Sequence, residues 1–276
     1  MRVARLVRGN PQLAALLLLL IAFVAVTIVG PLLRPDDPLK PNIVLKFRPP
    51  SPEHPMGNDE LGRDVLSRVL LGGRYSLGAG LAVVVLGGLI GSVVGFISGY
   101  FGGWLDFVLM RITELFLGFP ALILAIAFAA AFGAGLAQGV LAAALVWWPG
   151  YARLVRGQVL AVRNLQFVEA AQALGARDAR VLLRHVVPAC FGEIVVKATL
   201  DMGLAILFVA SLGFLGLGVR APTPEWGTMI AEARPYILDK WWTGFYPGAA
   251  IGVTVVLFNM LGDQVRSLLT PRKGHI

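Results

Sequence analysis

Long runs of uncharged, mostly apolar residues alternate with short polar stretches along this chain. Three of these runs cover residues 9–33, 75–105 and 115–152, and the last holds 38 residues without a formal charge. A helix needs about 20 apolar residues to cross the roughly 30 Å hydrocarbon core of a bilayer, so residues 115–152 suffice for two spans. The pattern therefore predicts an all-α polytopic membrane protein.

We predict six transmembrane helices in this chain. Pro120 is expected to kink the third helix, and Gly133, Gly135 and Gly139 are expected to form the turn into the fourth. The predicted spans are 13–33, 76–100, 112–132, 136–152, 195–217 and 245–262.

The polar segments between these spans fall into an outer and an inner set. The outer segments are 34–75 and 218–244, and within the first of them residues 60–71 alternate apolar and charged positions, which predicts an amphipathic helix lying on the membrane or on a neighbour. The inner segments carry 12 Lys and Arg, whereas the longer, acid-matched outer segments carry ten. The positive-inside rule therefore favours cytosolic termini. The inner segments are the tails 1–12 and 263–276 and the loop 153–190.

The composition agrees with a membrane protein. The chain has 276 residues, of which 57% are hydrophobic and 14% are charged, too few charges to cover a soluble domain of this size. We assign the net charge of +8 to topology and lipid headgroup contact, and we expect no nucleic-acid partner. One cysteine, Cys190, excludes an internal disulfide, and no Cys/His cluster has the spacing of a metal site.

The amino-terminal run could be mistaken for a signal peptide, because Arg2, Arg5 and Arg8 precede it. Its 25 uncharged residues are longer than a signal core, and no small-residue cleavage site follows. We therefore expect it to be retained as the first span.

Four glycines recur at every fourth position of the second predicted span, namely Gly87, Gly91, Gly95 and Gly99. Small residues at this spacing let two helix backbones approach closely in lipid, which predicts a helix-packing surface. The alternative is that glycine is simply common in membrane helices.

Residues 165–190 form the longest polar stretch between apolar segments in the second half of the chain. Apolar residues at helical spacing, an interrupting Gly175 and a basic stripe ending before Pro188 predict two short helices with a glycine bend. The stripe consists of Arg177, Arg180 and Arg184. A solvated hairpin whose arginines touch anionic lipid is the alternative to a docking element.

The chain lacks the motif that would let it bind a nucleotide. None of its five lysines follows a glycine, so no G-x-x-x-x-G-K phosphate-binding loop is present. If transport is driven uphill by ATP, another chain must bind it.

At this point the chain resembles the permease subunits of binding-protein-dependent ABC importers, and in particular the C-type subunit of the dipeptide, oligopeptide and nickel branch. Glu169, Ala170, Ala171, Gly175 and the sequence from His185 to Pro188 are similar to the EAA loop of that family. Further matching stretches are 57–64 (GNDELGRD), 99–104 (GYFGGW), 212–218 (LGFLGLG) and 222–227 (PTPEWG). Gly213 stands where the family usually has serine, and Ala189 where asparagine is common.

The resemblance implies a type I ABC importer transmembrane domain, a five-helix core at about residues 72–265 preceded by an amino-terminal helix, in a bacterial or archaeal inner membrane. It implies a homologous B-type permease, two ATPase subunits that hold ATP and Mg²⁺, and an extracytoplasmic substrate-binding protein as partners. This chain itself would hold no cofactor, metal or catalytic residue. The residues implied to couple it to the ATPases are Glu169, Ala170, Ala171, Leu174, Gly175, Arg177, His185 and Pro188. Di- or oligopeptides are the first choice of cargo, with nickel chelates or glutathione as alternatives.

Three charged residues at the entry to the fifth predicted span share one helix face: Glu193, Lys197 and Asp201. One lysine could neutralise both carboxylates as a structural ladder, or the group could act as a gate, since ionisable residues near a span are often functional.

Two other classes of protein were weighed. A secondary transporter would show internal repeats and midplane ion ligands, and an intramembrane enzyme would need a nucleophile, metal or acid pair at depth. The sequence shows none of these features.

Overall fold

The computed structural model describes residues 10–33 and 37–269, and helices dominate this part of the chain. Most of the predicted tail 1–12, the end of the tail 263–276 and the charged residues 34–36 lie outside the described residues. The helices are α1 (Pro11–Leu33), α2 (Val65–Phe101), α3 (Gly103–Leu117), α4 (Ala121–Phe132), α5 (Leu136–Val162), α6 (Gln166–Ala173), α7 (Asp178–Val181), α8 (Val187–Phe214), α9 (Trp226–Ala233) and α10 (Trp242–Leu269).

Four helices in the described residues are long and apolar enough to cross a membrane: α1, α2, the run from α7 through α8, and α10. The bent pair α3 and α4 makes a fifth if it is counted as one span. Helix α5 is long enough but more polar, and its inner face is buried against its neighbours. A helix shielded from lipid needs less hydropathy, so α5 corresponds to the predicted fourth span, 136–152, and completes the set of six.

Helix α2 is the centre of the bundle, because α1, α5, α8 and α10 all pack against it. It is a single helix of 37 residues, about 55 Å long. The prediction of a separate amphipathic helix over 60–71 is therefore wrong. Residues 60–64 lie before the helix, and Val65 to Leu71 form its first two turns, which are buried against the rest of the protein instead of lying on the membrane.

The predicted third span, 112–132, is also corrected. Helix α3 already begins at Gly103, and α4 starts at Ala121 after a bend of 93°. Pro120 was expected to kink one helix, but the structure has two separate helices on either side of it. The physical reason is that Pro120 removes a backbone donor and disfavours helical geometry at the preceding residue, Phe119.

The helices on both sides of the predicted loop 153–190 extend further into it than hydropathy indicated. Helix α5 continues to Val162, although the predicted span ended at residue 152. The predicted loop 153–190 therefore shrinks to a short hairpin, because helical structure resumes at Asp178 and runs through Pro188 into α8. Helices do not stop at the membrane surface, whereas hydropathy detects only their apolar part.

Pro188 does not end the second arm of the hairpin, as the sequence suggested. The chain widens into a π-turn at Leu182–Val186, in which the Val187 N–H donates to the Leu182 carbonyl. Pro188 then lies in the first turn of α8, where its missing N–H is tolerated. The hairpin is thus continuous with a membrane helix.

At the opposite end of the bundle from this hairpin, residues 37–64 fold against the start of α2 and against α9 and α10. Asp64 caps α2, because its carboxylate accepts from the Ser67 N–H (2.8 Å) and hydroxyl (2.7 Å). The Trp242 indole N–H of α10 donates to the Asn58 carbonyl at 3.1 Å. This segment is therefore an ordered cap on the bundle.

Candidate functional site

The candidate site is the hairpin formed by α6, the turn 174–177 and α7, which we call the coupling hairpin. Its anchor is Val168, which is fully buried in a small apolar cluster with Val155 and Val159 of α5 and Val181 and Cys190 from the α7–α8 arm. This cluster is separate from the main core of the bundle. The hairpin is therefore packed on α5 and α8 and does not hang free in solvent.

The turn of the coupling hairpin depends on Gly175, which has φ of +78°. The Gly175 N–H donates to the Gln172 carbonyl (2.9 Å) and the Ala176 N–H to the Ala171 carbonyl (3.1 Å). These two bonds form a Schellman motif, in which glycine adopts the left-handed conformation that closes a helix. No atom would obstruct a Cβ here, so the glycine serves the backbone angle alone.

The outer face of α6 carries Glu169, Ala170 and Leu174, all exposed. Leu174 is 88% exposed at the tip of the hairpin. Ala171 does not belong to this face, contrary to the expectation that it helps the helix to seat on a partner. It packs against the Val168 cluster, because it lies three residues after Val168 on the same side of the helix.

A polar contact ties the hairpin to the carboxyl-terminal end of α2. The Tyr100 hydroxyl lies 3.0 Å from the Asp178 carboxylate, and the Gln172 amide donates to Tyr100 at 3.5 Å. Together with the Val168 cluster, this contact joins α2, α5, α6 and α8 at one point. The hairpin is therefore attached to three of the long helices, α2, α5 and α8.

The remaining predicted coupling residues lie around this unit. Arg177 is exposed just before α7, and the stripe it begins continues on the exposed surface through Arg180 and Arg184. His185 is half-buried in the π-turn with its ring 6.5 Å from the ring of Phe167. Pro188 is exposed in the first turn of α8.

The four stripe glycines, Gly87, Gly91, Gly95 and Gly99, all face α5, and they are buried. A Cβ added at Gly95 would lie 2.7 Å from the Ala152 carbonyl and from the Val155 Cβ, and one at Gly99 would lie 2.8 Å from the Val159 Cβ. Contacts advance in the same direction along both helices, so α2 and α5 run parallel. The four glycines therefore keep α5 close to α2 from Trp147 to Val159, near the start of the hairpin.

The charged ladder forms only in part. The Lys197 ammonium lies 3.0 Å from the Asp201 carboxylate, which also accepts from the Trp147 indole N–H at 3.1 Å. The ammonium lies 4.9 Å from the centre of the Tyr151 ring. Among the described residues Glu193 makes no ion pair with Lys197, so the expected three-member ladder is reduced to one pair held against α5.

Comparison with known proteins identifies the family of this chain. The family model described as binding-protein-dependent transport system inner membrane component matches residues 91–275 of this chain. The chain belongs to this family. The resemblance detected in the EAA-like loop is thereby confirmed, and the protein is a membrane permease subunit of a binding-protein-dependent ABC transporter.

Several curated relatives align over most of this permease. The probable D,D-dipeptide transport system permease protein DdpC of Escherichia coli K12 is 42% identical over 98% of this chain and 90% of that protein. The dipeptide transport system permease protein DppC of Alkalihalophilus pseudofirmus is 40% identical over 93% of this chain and 84% of that protein. The glutathione transport system permease protein GsiD of Escherichia coli O6:K15:H31 is 46% identical over 81% of this chain and 74% of that protein.

A solved structure confirms the predicted fold class. A chain from inward-facing conformations of the MetNI methionine ABC transporter, in the CY5 native crystal form, superposes with a TM-score of 0.62 at 19% identity. The match covers 74% of this permease and 96% of that chain. At this identity the likeness concerns the fold alone, and it supports the type I importer architecture.

The sequence did not reveal how residues 37–64 of the permease are joined to α9. The buried guanidinium groups of Arg63 and Arg68 share the carboxylates of Asp59 and Glu232, with closest contacts of 2.7 Å (Arg63 to Asp59) and 2.9 Å (Arg68 to Glu232). We call these four residues the cap network. Burial raises the pKa of Glu232, and the two arginines oppose this rise. The only indication of this network in the sequence was that Arg63 and Arg68 lie among the apolar positions of residues 60–71.

A second missed contact explains Gly213 of the permease. The Glu225 carboxylate is buried, caps α9 by accepting from the Gly227 and Thr228 N–H groups, and accepts from the Ser76 hydroxyl of α2 at 2.9 Å. A Cβ at Gly213 would lie 2.5 Å from this carboxylate. The glycine-rich stretch 212–218 and the proline-containing stretch 222–227 therefore meet at the Glu225 carboxylate.

We expect Asp201→Asn to destabilise the permease, because it leaves the Lys197 ammonium unpaired at membrane depth. The loss should be about 1.5–3 kcal/mol, the range for a hydrogen bond to a charged group. Thermal unfolding of the purified complex measures it, with Glu193→Gln as the control that should change little. Peptide uptake should fall only in proportion to the folded complex. A stable variant without uptake would contradict a structural role and favour a gate.

Proposed function

We propose that this chain is one of two homologous permease subunits of an ATP-driven importer of di- or oligopeptides. The partners would be a B-type permease, two ATPase subunits that bind ATP and Mg²⁺, and an extracytoplasmic substrate-binding protein. Both termini and the coupling hairpin would lie in the cytosol, in agreement with the basic residues of the inner segments. The dipeptide permeases among the relatives support the peptide cargo.

One observation supports this function best: the inner side of the coupling hairpin is packed against the bundle, and its outer side is exposed. Val168 and Ala171 hold it on α5 and α8, whereas Glu169, Ala170 and Leu174 face solvent. An apolar side chain at the tip, such as that of Leu174, would gain free energy by entering an apolar cleft on another protein. A cleft on an ATPase subunit would supply that environment and the energy.

The mechanism follows from these attachments. ATP binding would close the ATPase dimer and displace the docked hairpin, and α2, α5 and α8 would move with it because they share the Val168 and Tyr100 contacts. The bundle would then open outward to receive a peptide from the binding protein, and hydrolysis would reset it inward. The permease contributes differential contacts in two states and no covalent chemistry.

We expect Ala170→Trp to lower ATP-dependent peptide uptake by roughly tenfold or more, equivalent to about 1.4 kcal/mol of docking free energy. The indole would prevent α6 from seating in a partner cleft. Uptake and binding-protein-stimulated ATPase activity of the reconstituted complex measure the effect. Ala161→Trp is the control, because Ala161 is an exposed alanine near the end of α5 and lies outside the coupling hairpin. Normal uptake with normal stimulation in Ala170→Trp would refute the coupling role.

Glutathione is a second candidate cargo, because the GsiD relative is the most identical of the three over its aligned part. Purified cognate binding protein, tested by calorimetry with dipeptides and with glutathione, separates the two. Preferential binding of glutathione would replace the peptide assignment and leave the permease mechanism unchanged.

A further inference from the structure

A groove separates the start of α1 from the end of α10. The Asn10 amide donates to the Gln264 side chain at 3.4 Å, so these two ends lie side by side and the two helices run antiparallel. The groove has a volume of about 530 Å³, within the range of about 300–1,000 Å³ that is usual for ligand pockets. It is therefore large enough to hold part of an organic ligand.

The two ends of the groove differ in polarity. At one end Leu16 is only 5% exposed, and Leu19 and Met260 beside it are 60% and 52% exposed. The other end lies about 10 Å away along α1, from Leu19 back to the first turn of the helix. The residues that line this other end are Gln12, Asp263 and Gln264. The groove is therefore apolar at one end and polar at the other.

The sequence places the polar end of the groove at a membrane boundary. Residues 9–33 and residues 241–262 carry no formal charge, and Asp263 is the first charged residue after the second of these runs. Both α1 and α10 are long and apolar enough to cross a membrane. The apolar end of the groove therefore lies in hydrocarbon, and the polar end lies at the level of the lipid headgroups.

The polar end of the groove has hydrogen-bonding groups that the protein does not use. Asp263 is exposed and makes no ion pair with any residue that the structure describes, including Arg266 one turn further along α10. The Gln264 oxygen accepts from Asn10, whereas the Gln264 NH2 group has no acceptor within the described part of the chain. A ligand at this end therefore meets a carboxylate and an amide donor.

A phospholipid is complementary to both ends of the groove. In a bilayer the apolar end is filled by hydrocarbon, because a water molecule there would lack the two to four polar partners that it needs. The Asp263 carboxylate attracts a cationic headgroup and repels an anionic one. A primary ammonium also donates a charge-assisted hydrogen bond to a carboxylate, whereas a trimethylated ammonium has no N–H to donate. Charge and hydrogen bonding therefore favour an aminophospholipid.

We propose that the groove between α1 and α10 binds a phosphatidylethanolamine molecule. Its ammonium contacts Asp263, its phosphate accepts from the Gln264 amide, and one acyl chain lies on Leu16 between Leu19 and Met260. The bound lipid fills the space between the first helix and the rest of the bundle. This binding requires no cargo, so it goes beyond the proposed import function.

The test is photo-labelling of the assembled complex in bilayers of phosphatidylcholine and phosphatidylglycerol. A trace of phosphatidylethanolamine with a photoreactive acyl chain should label the peptides that contain residues 12–19 and 260–264. Replacing the phosphatidylcholine with unlabelled phosphatidylethanolamine of the same acyl chains should lower this labelling roughly fivefold, because only the latter lipid donates to Asp263. In Asp263→Asn the replacement should have no effect. Asp239→Asn, which removes an exposed carboxylate just before α10, should behave like the wild type.

Ala15→Phe provides a second test that does not depend on the headgroup. Ala15 lines the groove, so the added ring should occupy its apolar end and lower the labelling of both peptides. Leu18→Phe should preserve the labelling, because Leu18 is 70% exposed on α1 outside the groove.

The proposal is wrong if the wild-type complex is labelled equally in the two bilayers, if Asp263→Asn retains the difference, or if Ala15→Phe and Leu18→Phe are labelled alike. Absence of label from both peptides would also refute it, since a protein chain and not a lipid would then cover the groove.

Discussion

Replacing Gly91 with valine should prevent the permease from folding into a stable bundle. A Cβ at this position would overlap the Trp148 carbonyl and lie 2.6 Å from the Tyr151 Cβ. The obstacle is the backbone of α5, which cannot rotate away as a side chain could, so α2 and α5 must separate. Overpacking a core usually costs about 1–3 kcal/mol, and a forced separation of two helices should exceed this range.

Gly78→Val is the matched control, because Gly78 lies on the same helix and nothing approaches its Cβ position within 4 Å. Both substitutions place a β-branched residue in α2, so they share the change in helix propensity. The amount of folded complex in membranes and its thermal midpoint measure the difference. Equal loss in both variants would mean that the stripe glycines do not act through packing against α5.

The second large effect is expected from Arg68→Met in the cap network. Arg68 is 1% exposed and contacts both the buried Asp59 (3.3 Å) and the partly buried Glu232 (2.9 Å), so its removal leaves these two carboxylates with Arg63 alone. Breaking a buried ion pair by removing one partner typically costs about 3–5 kcal/mol. Chemical or thermal unfolding of the purified complex measures this loss.

The same variant should show a distinct pH dependence. Burial already raises the pKa of Glu232, and removal of Arg68 takes away the stronger opposing charge, so this pKa should rise further. A group whose folded-state pKa is raised contributes stability below its unfolded pKa and loses it as the pH rises through the folded pKa. The deficit of Arg68→Met should therefore be smaller at about pH 5 than at about pH 8.

Arg111→Met is the control for Arg68→Met. Arg111 pairs with Glu114 at 3.0 Å, but both side chains are at least 60% exposed, and such a pair contributes less than about 1 kcal/mol. A deficit in Arg68→Met no larger than in Arg111→Met, or one independent of pH, would show that the cap network does not stabilise the protein.

The coupling hairpin shows how far local sequence reasoning reaches. Gly175 marked the bend, because few other residues adopt positive φ at a helix end, and the structure has its Schellman motif there. The inward side of α6 was not predictable in the same way. Val168 and Ala171 are buried only because the end of α5 and the start of α8 arrive beside them, and those contacts join residues that are distant in the sequence.

The cap network and the sharp bend between α3 and α4 were not predicted either, because both depend on contacts between distant segments. An arginine in an amphipathic pattern is normally solvated, and Arg68 is buried only because Glu232, distant in the sequence, meets it. Pro120 indicated a kink, but the 93° bend depends on where the halves of the broken span find partners, Phe116 against Trp148 and α4 against α5.

By itself the sequence determined that this is a helical membrane protein, where its apolar segments lie, and to which family it belongs. These properties follow from composition, from the length of apolar runs and from short motifs, all of which act within one segment or against the solvent. The tertiary structure alone decided which charges are buried, which face of α6 is free and how sharply the chain bends at Pro120, because these depend on pairing between distant segments. Depth in the membrane and burial are properties of the assembled bundle.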